Sequence, residues 1–161
     1  MAEGEFALVR EHGEAALTSP SQGWISVGDH DLYNLLADAV ASQRDEAALQ
    51  KYAPLAEQFA SRYDHKLYQA IAKRAQGVFH LLAGEYIEAE SKLNQALDLF
   101  SSLNARYQIG RTLFELGELA AAQTNSSKAR EYFTRSLEVF ESMQAVIDVA
   151  RAKSTLERLN L

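Results

Sequence analysis

The chain has 161 residues, a formal net charge of −6 and no cysteine, and 47% of its residues are apolar. The absence of cysteine excludes disulfides, thiol catalysis and thiolate metal sites, and no apolar run reaches the roughly 18 residues that a membrane-spanning helix needs. The negative charge disfavours a general nucleic-acid-binding surface, and the few prolines and glycines are typical of a mostly helical protein.

Residues 1–28 differ in character from the rest, and we interpret them as an N-terminal capping helix followed by a loop. Apolar side chains recur with helical spacing over residues 5–17, and Ser, Pro and Gly follow. Phe6 and Trp24 would then dock on the first hairpin. The alternative is that 5–17 is the second helix of a preceding repeat in a longer regulator. The first residues lack the features of a signal peptide, and we expect a cytoplasmic protein.

The next segment, residues 29–65, predicts the first helical hairpin and is the least regular part of the chain. Asp45 is a suitable N-cap for a helix over 46–62, because its carboxylate can accept free backbone N–H groups. Pro54 lies inside that helix, where a proline removes a hydrogen bond and costs roughly 3 kcal/mol. We expect a kink there, or a break with Pro54 in the first turn of a second piece.

Residues 66–105 recur as 106–145, forty residues later and without a gap. Gly77 falls on Gly117 and Phe100 on Phe140, whereas the polar positions between them vary. Small and apolar residues therefore coincide where helices would touch. Upstream, the offset becomes forty-one, which aligns Phe59 with Phe100.

This periodicity predicts an array of helical hairpins. The units are 29–65, 66–105 and 106–145, and residues 146–161 form a closing helix. Each hairpin buries its apolar face only when a neighbour stacks on it. The two repeated glycines would lie where the helices of one hairpin cross.

The turn and second helix of each hairpin resemble the tetratricopeptide repeat. Residues 84–89 read Gly-Glu-Tyr-Ile-Glu-Ala and precede Ala96-Leu97, and the next unit has Ser136-Leu137 at the same place. The resemblance covers about residues 30–161 and is to the long-repeat subgroup of bacterial signalling and regulatory proteins. It implies an all-α fold: a right-handed α-solenoid of antiparallel hairpins, with about seven or eight helices and a single C-terminal capping helix.

No set of catalytic residues stands out in the sequence. It has no Gly-rich phosphate loop, nucleophile elbow or zinc-protease motif. The segment Asp29-His30-Asp31 is the one concentrated cluster of metal-ligating types, but consecutive residues on a helix point in different directions. Helix capping explains it better. We expect neither enzyme activity, nor a cofactor, nor a metal site.

A polar stripe interrupts the first helix of the second unit. Lys73, Gln76 and His80 share one side of that helix, whereas the third unit has Leu113, Leu116 and Ala120 at the corresponding positions. Because a buried lysine needs an acidic partner or an exit to water, two interpretations remain. The stripe faces solvent, or it lines a polar pocket between the second and third hairpins.

The resemblance also implies that the first helix of each hairpin lines a concave groove. Carried over residue by residue, the groove positions are His30, Tyr33, Arg74, Arg111, Phe114, Glu118, Arg151 and Arg158. The arginines would form a solvent-facing basic strip suited to carboxylates and acidic peptides. The alternative is that each arginine pairs with a nearby carboxylate. The family's dicarboxylate clamp uses an Asn where this chain has Val78 and Glu118, and it is not expected here.

Taken together, these features predict a non-enzymatic scaffold or regulatory module that binds a protein or peptide in its groove. One alternative is a ligand-sensing regulatory domain of a larger signalling protein. Another is a homo-oligomerisation module that associates through the ends of the array. We expect no nucleic-acid or membrane partner.

Overall fold

A computed structural model describes residues 3–18 and 29–159, and every regular element in these ranges is an α-helix. The eight helices are α1 (Glu3–Thr18), α2 (Asp29–Ser42), α3 (Glu46–Arg62), α4 (Lys66–Leu82), α5 (Tyr86–Ser102), α6 (Arg106–Ala122), α7 (Ser126–Ser142) and α8 (Val146–Arg158). Helices that follow each other in sequence pack against each other. The expected all-α solenoid of helical hairpins is confirmed. None of the described helices is long and apolar enough to cross a membrane.

The hairpins are built from a backbone unit of twenty residues. Helices α3 to α7 each have 17 residues, and three residues separate each from the next helix. The middle residue of every turn from α2 onward has a positive φ, at positions 44, 64, 84, 104, 124 and 144. This left-handed residue is a common way to end a helix. One of the six is a glycine, Gly84. The other five residues have side chains, for which this left-handed backbone conformation is less favourable.

The regular turns correct the register that the sequence predicted for the first hairpin. Helices α3 and α5 begin forty residues apart, so the offset of forty-one was wrong. Ala60, not Phe59, holds the position of Phe100. The sequence alignment paired Phe59 with Phe100 because both are aromatic. The first unit in fact has a small residue at this buried position.

Two glycines allow the helices of a hairpin to cross closely, as the sequence predicts. A Cβ atom added to Gly77 would lie 2.6 Å from Cγ of Leu93. On Gly117 it would lie 2.7 Å from Cδ1 of Phe133. The side chain from the second helix therefore fills the space that a larger residue would need, and these contacts fix the hairpin geometry.

Pro54 does not break its helix. Helix α3 runs from Glu46 to Arg62 with Pro54 inside it. Buried residues on both sides of the proline hold the helix against its neighbours: Leu49, Tyr52, Ala53, Ala56 and Ala60. Tertiary packing thus outweighs the lost hydrogen bond.

Helix α1 packs against α2. A Cβ atom on Gly13 would lie 2.8 Å from Cδ2 of Leu36, and Arg10 donates a hydrogen bond to Asp45 at 2.6 Å. The buried ring of Phe6 lies 5.5 Å from the guanidinium of Arg111 on α6. Phe6 thus reaches beyond the first hairpin on which it was expected to dock, and Trp24 lies outside the described residues.

Candidate functional site

Side chains from α2, α4 and α6 meet on one side of the array at Asp38. Its Oδ1 accepts a hydrogen bond from Arg74 at 2.7 Å, and its Oδ2 accepts one from Arg111 at 2.7 Å. One carboxylate therefore bridges two guanidinium groups across three helices. We call Asp38, Arg74 and Arg111 the Asp38 cluster, and the side on which they meet the inner side.

Each arginine of the cluster has further partners. Arg74 donates to Oε1 of Gln108 at 2.6 Å, and its guanidinium lies 5.1 Å from the ring centroid of Phe100. Arg111 donates to Oγ of Ser42 at 2.8 Å. The geometry of both guanidinium groups is thus fixed by several contacts.

The electrostatics of the cluster follow from its burial and from its uneven charge. Burial alone would raise the pKa of Asp38, but the charges of Arg111 and Arg74 and their hydrogen bonds outweigh it and lower the pKa to about 2. Burial and the positive charge of Arg111 lower the pKa of Arg74 to about 10. Asp38 therefore stays ionised at neutral pH, and its negative charge offsets part of the positive charge of the two arginines.

A second ion pair links the first hairpin to α6. Arg44, in the turn after α2, lies 2.7 Å from Oε2 of Glu115 and 3.9 Å from Glu118. The charge of Glu115 raises the pKa of Arg44 against the opposing effect of burial. The predicted groove residue Glu118 thus lies beside the guanidinium of Arg44.

The expectation that the groove arginines face solvent was wrong for two of them. Arg74 is only 2% exposed, and the side chain of Arg111 is 14% exposed and paired with Asp38. The alternative, in which arginines pair with carboxylates, describes both, although their partner lies on another helix. Their role in binding stays a prediction.

The remaining groove arginines lie on α8. Arg151 is an exposed residue, and its guanidinium lies 4.0 Å from the ring centroid of Phe114 on α6, a cation–π distance. Arg158 is exposed and donates a hydrogen bond to Oγ1 of Thr155 at 3.1 Å. Among the described residues, neither arginine pairs with a carboxylate.

Of the two groove residues predicted in the first hairpin, Tyr33 lies among aromatic contacts of that hairpin. The ring of Tyr33 stacks on Phe59 with centroids 5.0 Å apart, and the side chain of His30 lies outside the described residues. With the corrected offset of forty, Asn34 corresponds to Arg74, and Asp38 corresponds to Val78. Sequence reasoning missed Asp38 because of the register error. A carboxylate in the apolar run 35–40 was the signal that could have found it.

The polar stripe of α4 packs against α3 and not against the third hairpin. Lys73 lies 3.3 Å from Oε1 of Glu57 on α3, and Nε2 of Gln76 donates to Oε2 of the same carboxylate. His80 contacts Glu85 through Nδ1 at 2.6 Å. The stripe therefore neither faces solvent as a whole nor lines a pocket between the second and third hairpins. Its acidic partner Glu57 comes from the first hairpin, and the neighbouring cavity lies between the first and second hairpins.

Comparison with known proteins identifies the repeat. The family profile described as tetratricopeptide repeat matches residues 68–142, which span most of the second and third hairpins. A search of curated proteins found no match to the chain. Within residues 3–18 and 29–159, no three His, Asp or Glu side chains form a group that could hold a metal ion.

Proposed function

We propose that the protein is a non-enzymatic scaffold that binds a protein or peptide partner, because its residues 68–142 match the tetratricopeptide-repeat family. Repeats of this family generally mediate protein–protein interaction. We place the partner on α8 and the facing part of α6, a surface defined by Phe114, Glu118, Arg151 and Arg158. We call it the C-terminal groove.

The observation that carries this placement is the contrast between the two pairs of arginines. Arg74 and Arg111 already have an intramolecular carboxylate. Arg151 and Arg158 are exposed, lie seven residues apart on one side of α8, and pair with no carboxylate of the described chain. An external carboxylate would therefore find two available guanidinium groups there.

A neighbouring pocket defines the rest of the proposed partner. A space of about 190 Å³ lies beside Arg158 and is lined in part by Ala121 and Phe133 from α6 and α7 and by Leu159. An apolar side chain fits such a lining, because it would remove apolar surface from water. The partner class is thus an acidic peptide that carries an apolar side chain next to its carboxylates.

Fluorescence anisotropy with labelled peptides of Glu, Asp and Leu tests this proposal. Replacing Arg151 and Arg158 together by Glu should weaken binding by about tenfold or more, because each lost attraction becomes a repulsion. Binding to the unchanged chain should also weaken as salt rises, since exposed charges are screened over about 8–10 Å.

The matched control is Lys153→Glu, a charge reversal of the same kind on the same helix. Lys153 is exposed and pairs with Glu141, so it lies outside the C-terminal groove, and its reversal should leave binding unchanged. A peptide that binds the double variant as well as the parent, at any salt, would show that the placement is wrong. If Ile147→Ser then abolished binding, the end of the array would be the binding surface.

A further inference from the structure

A cavity of about 290 Å³ lies between the first and second hairpins. Its walls include Ala53 and Pro54 of α3, Gln76 and Phe79 of α4, and Lys92 of α5. Gln76 follows Arg74 by two residues, or about 200° around the helix. The cavity therefore lies on the side of α4 that points away from the Asp38 cluster, and it is separate from the C-terminal groove.

The wall of this cavity contains an acceptor without a partner. Gln76 is only 9% exposed, and its Nε2 donates to the carboxylate of Glu57. Because a carboxylate only accepts hydrogen bonds, this contact fixes the orientation of the amide. The Oε1 atom is then buried and has no hydrogen-bond partner among the described residues. Buried polar atoms are nearly always satisfied, so an N–H or O–H donor from a ligand would complete the site.

Helix α3 adds a second acceptor to the same cavity. Gln50 lies in its wall, and the backbone carbonyl of Gln50 would receive the N–H of residue 54 in a regular helix. Residue 54 is proline and has no N–H. The carbonyl of Gln50 therefore lacks its helical donor.

The cavity also has a cation at its wall. Nζ of Lys92 lies 4.0 Å from Oε1 of Glu57, whereas Lys73 lies closer to that atom, at 3.3 Å. Lys92 is therefore the less tightly held of the two ammonium groups. Leu49 and Phe79 supply apolar surface, so the site combines an apolar wall, an ammonium group and hydrogen-bond acceptors.

The next junction of the array shows that this space is not a general feature of the repeat. The positions of Ala53, Gln76 and Lys92 correspond, forty residues later, to Leu93, Leu116 and Tyr132. These three side chains pack together with Ala89 and Leu119 in one apolar cluster. At these positions, the first junction thus has a small residue and two polar ones where the second has large apolar or aromatic side chains.

We propose that this cavity binds a small carboxylate of amino-acid size that carries an acylated N–H group and an apolar side chain. The N–H donates to Oε1 of Gln76, the carboxylate pairs with Lys92, and the apolar side chain lies against Phe79. A volume of about 290 Å³ lies just below the range of pockets for drug-sized ligands, which starts at about 300 Å³, and it suits a smaller molecule. The shared chemistry is that of an N-acyl amino acid or of the last residue of a peptide.

Titration of the full chain with N-acetyl-L-leucine, followed by saturation-transfer NMR and thermal unfolding, tests the site. We expect saturation transfer to the leucine methyl groups and a rise in melting temperature with probe concentration. N-acetyl-L-leucine methyl ester, which lacks the carboxylate, and O-acetyl-L-leucic acid, which lacks the N–H, should each bind about tenfold more weakly. A short peptide that ends in leucine distinguishes the source: tighter binding than the acetylated amino acid indicates a peptide terminus.

Two variants and a control locate the probe in the cavity. Gln76→Leu introduces the leucine of the second junction, removes the acceptor for the N–H group, and should weaken binding of N-acetyl-L-leucine by about tenfold or more. Lys92→Met should weaken binding of the carboxylate and leave binding of the methyl ester unchanged. Lys66→Met removes an exposed lysine of α4 and should change neither. No saturation transfer at millimolar probe, or equal binding to Gln76→Leu, overturns the proposal.

Discussion

The two junctions between hairpins differ although the same backbone unit builds both. Between the second and third hairpins, Leu93, Leu116 and Tyr132 fill the space with apolar contacts. Between the first and second, the corresponding residues are Ala53, Gln76 and Lys92, and a cavity of about 290 Å³ remains. Apolar side chains such as Leu49, Tyr52 and Val78 also pack across the first junction, but at these three positions it has a space and polar groups where the second junction has apolar contacts.

This difference shows where a helical repeat can change its side chains without losing its fold. The geometry inside each hairpin is fixed by close crossings, such as that of Gly77 with Leu93, and by the short turns. Contacts between hairpins contribute a separate interface term to stability. A junction can therefore exchange apolar contacts for polar ones, provided that the remaining contacts and ion pairs keep the neighbours together.

On the inner side of the first junction, the Asp38 cluster provides such a contact. The formation of a buried ion pair gains little net stability, because three charges must leave water. Removal of one partner is expensive, because the others stay buried and uncompensated. The cluster therefore acts as a constraint on how α2, α4 and α6 sit relative to one another.

The largest effect is expected when the carboxylate of the cluster is removed. Asp38→Asn would leave Arg74 and Arg111 buried next to each other without the carboxylate that bridges them, at a cost of roughly 3–5 kcal/mol in the free energy of unfolding. Urea denaturation at neutral pH measures this loss. Asp98→Asn, at an exposed position of α5, is the control and should stay within about 0.5 kcal/mol of the parent. Equal effects of the two substitutions would contradict a structural role for the cluster.

The lowered pKa of Asp38 also predicts that the free energy of unfolding depends on pH. The pKa of Asp38 is lowered from 3.8 to about 2 in the folded chain, so the folded state favours the ionised form. Its contribution is fully present above pH 3.8 and is lost as the pH falls through 2, in total about 2 kcal/mol. The difference in unfolding free energy between the parent and Asp38→Asn should therefore shrink by that amount between pH 5 and pH 2. A difference that is constant over this range would show that Asp38 titrates normally.

An exchange of side chains between the junctions gives the largest effect expected outside the Asp38 cluster. Leu116→Gln should destabilise by about 3 kcal/mol, because apolar burial is lost and an amide is buried with no carboxylate such as Glu57 beside it. The reverse change, Gln76→Leu, should cost less than about 1 kcal/mol, since it removes an unpartnered acceptor and adds apolar contacts. Urea denaturation of both variants tests this asymmetry. Similar losses would mean that the first junction depends on its amide as much as the second depends on its leucine.

Much of the fold was predictable from the sequence because its determinants are local and repeated. The forty-residue period, the hairpins and the crossing glycines all follow from apolar spacing and from the resemblance of residues 84–89 to a known turn. Helix spacing alone also grouped Lys73, Gln76 and His80 on one side of α4. Such features can be predicted without knowing which residues distant in sequence contact each other.

The candidate sites were less predictable because they depend on contacts between residues far apart in sequence. Asp38 pairs with Arg111 across 73 positions, and the error of one residue in the first register hid it. Glu57, the acidic partner of the polar stripe, lies on the hairpin before it. The sequence showed that Lys73 needed a partner, but the packing of hairpins determines which carboxylate provides it.

The smallest expected effect concerns the turns, which are the same in backbone but not in sequence. Gly84 has φ 76° after α4, and Thr124 has φ 59° at the same position after α6. A side chain in the left-handed region costs roughly 1–2 kcal/mol, and glycine loses somewhat more backbone entropy on folding. Thr124→Gly should therefore stabilise by about 0.5–1 kcal/mol, and Gly84→Thr should destabilise by a similar amount.

A Cβ atom on Gly84 would meet nothing within 4 Å, so the effect of Gly84→Thr is conformational and not steric. Asn104→Gly is the matched control, because Asn104 has φ 52° and asparagine tolerates this conformation better than threonine. Its stabilisation should be smaller than that of Thr124→Gly. Urea denaturation with unchanged slopes measures all three. If Thr124→Gly destabilised the chain, the threonine side chain would contribute a contact that outweighs its backbone strain, and the third hairpin would depend on its turn more than the second does.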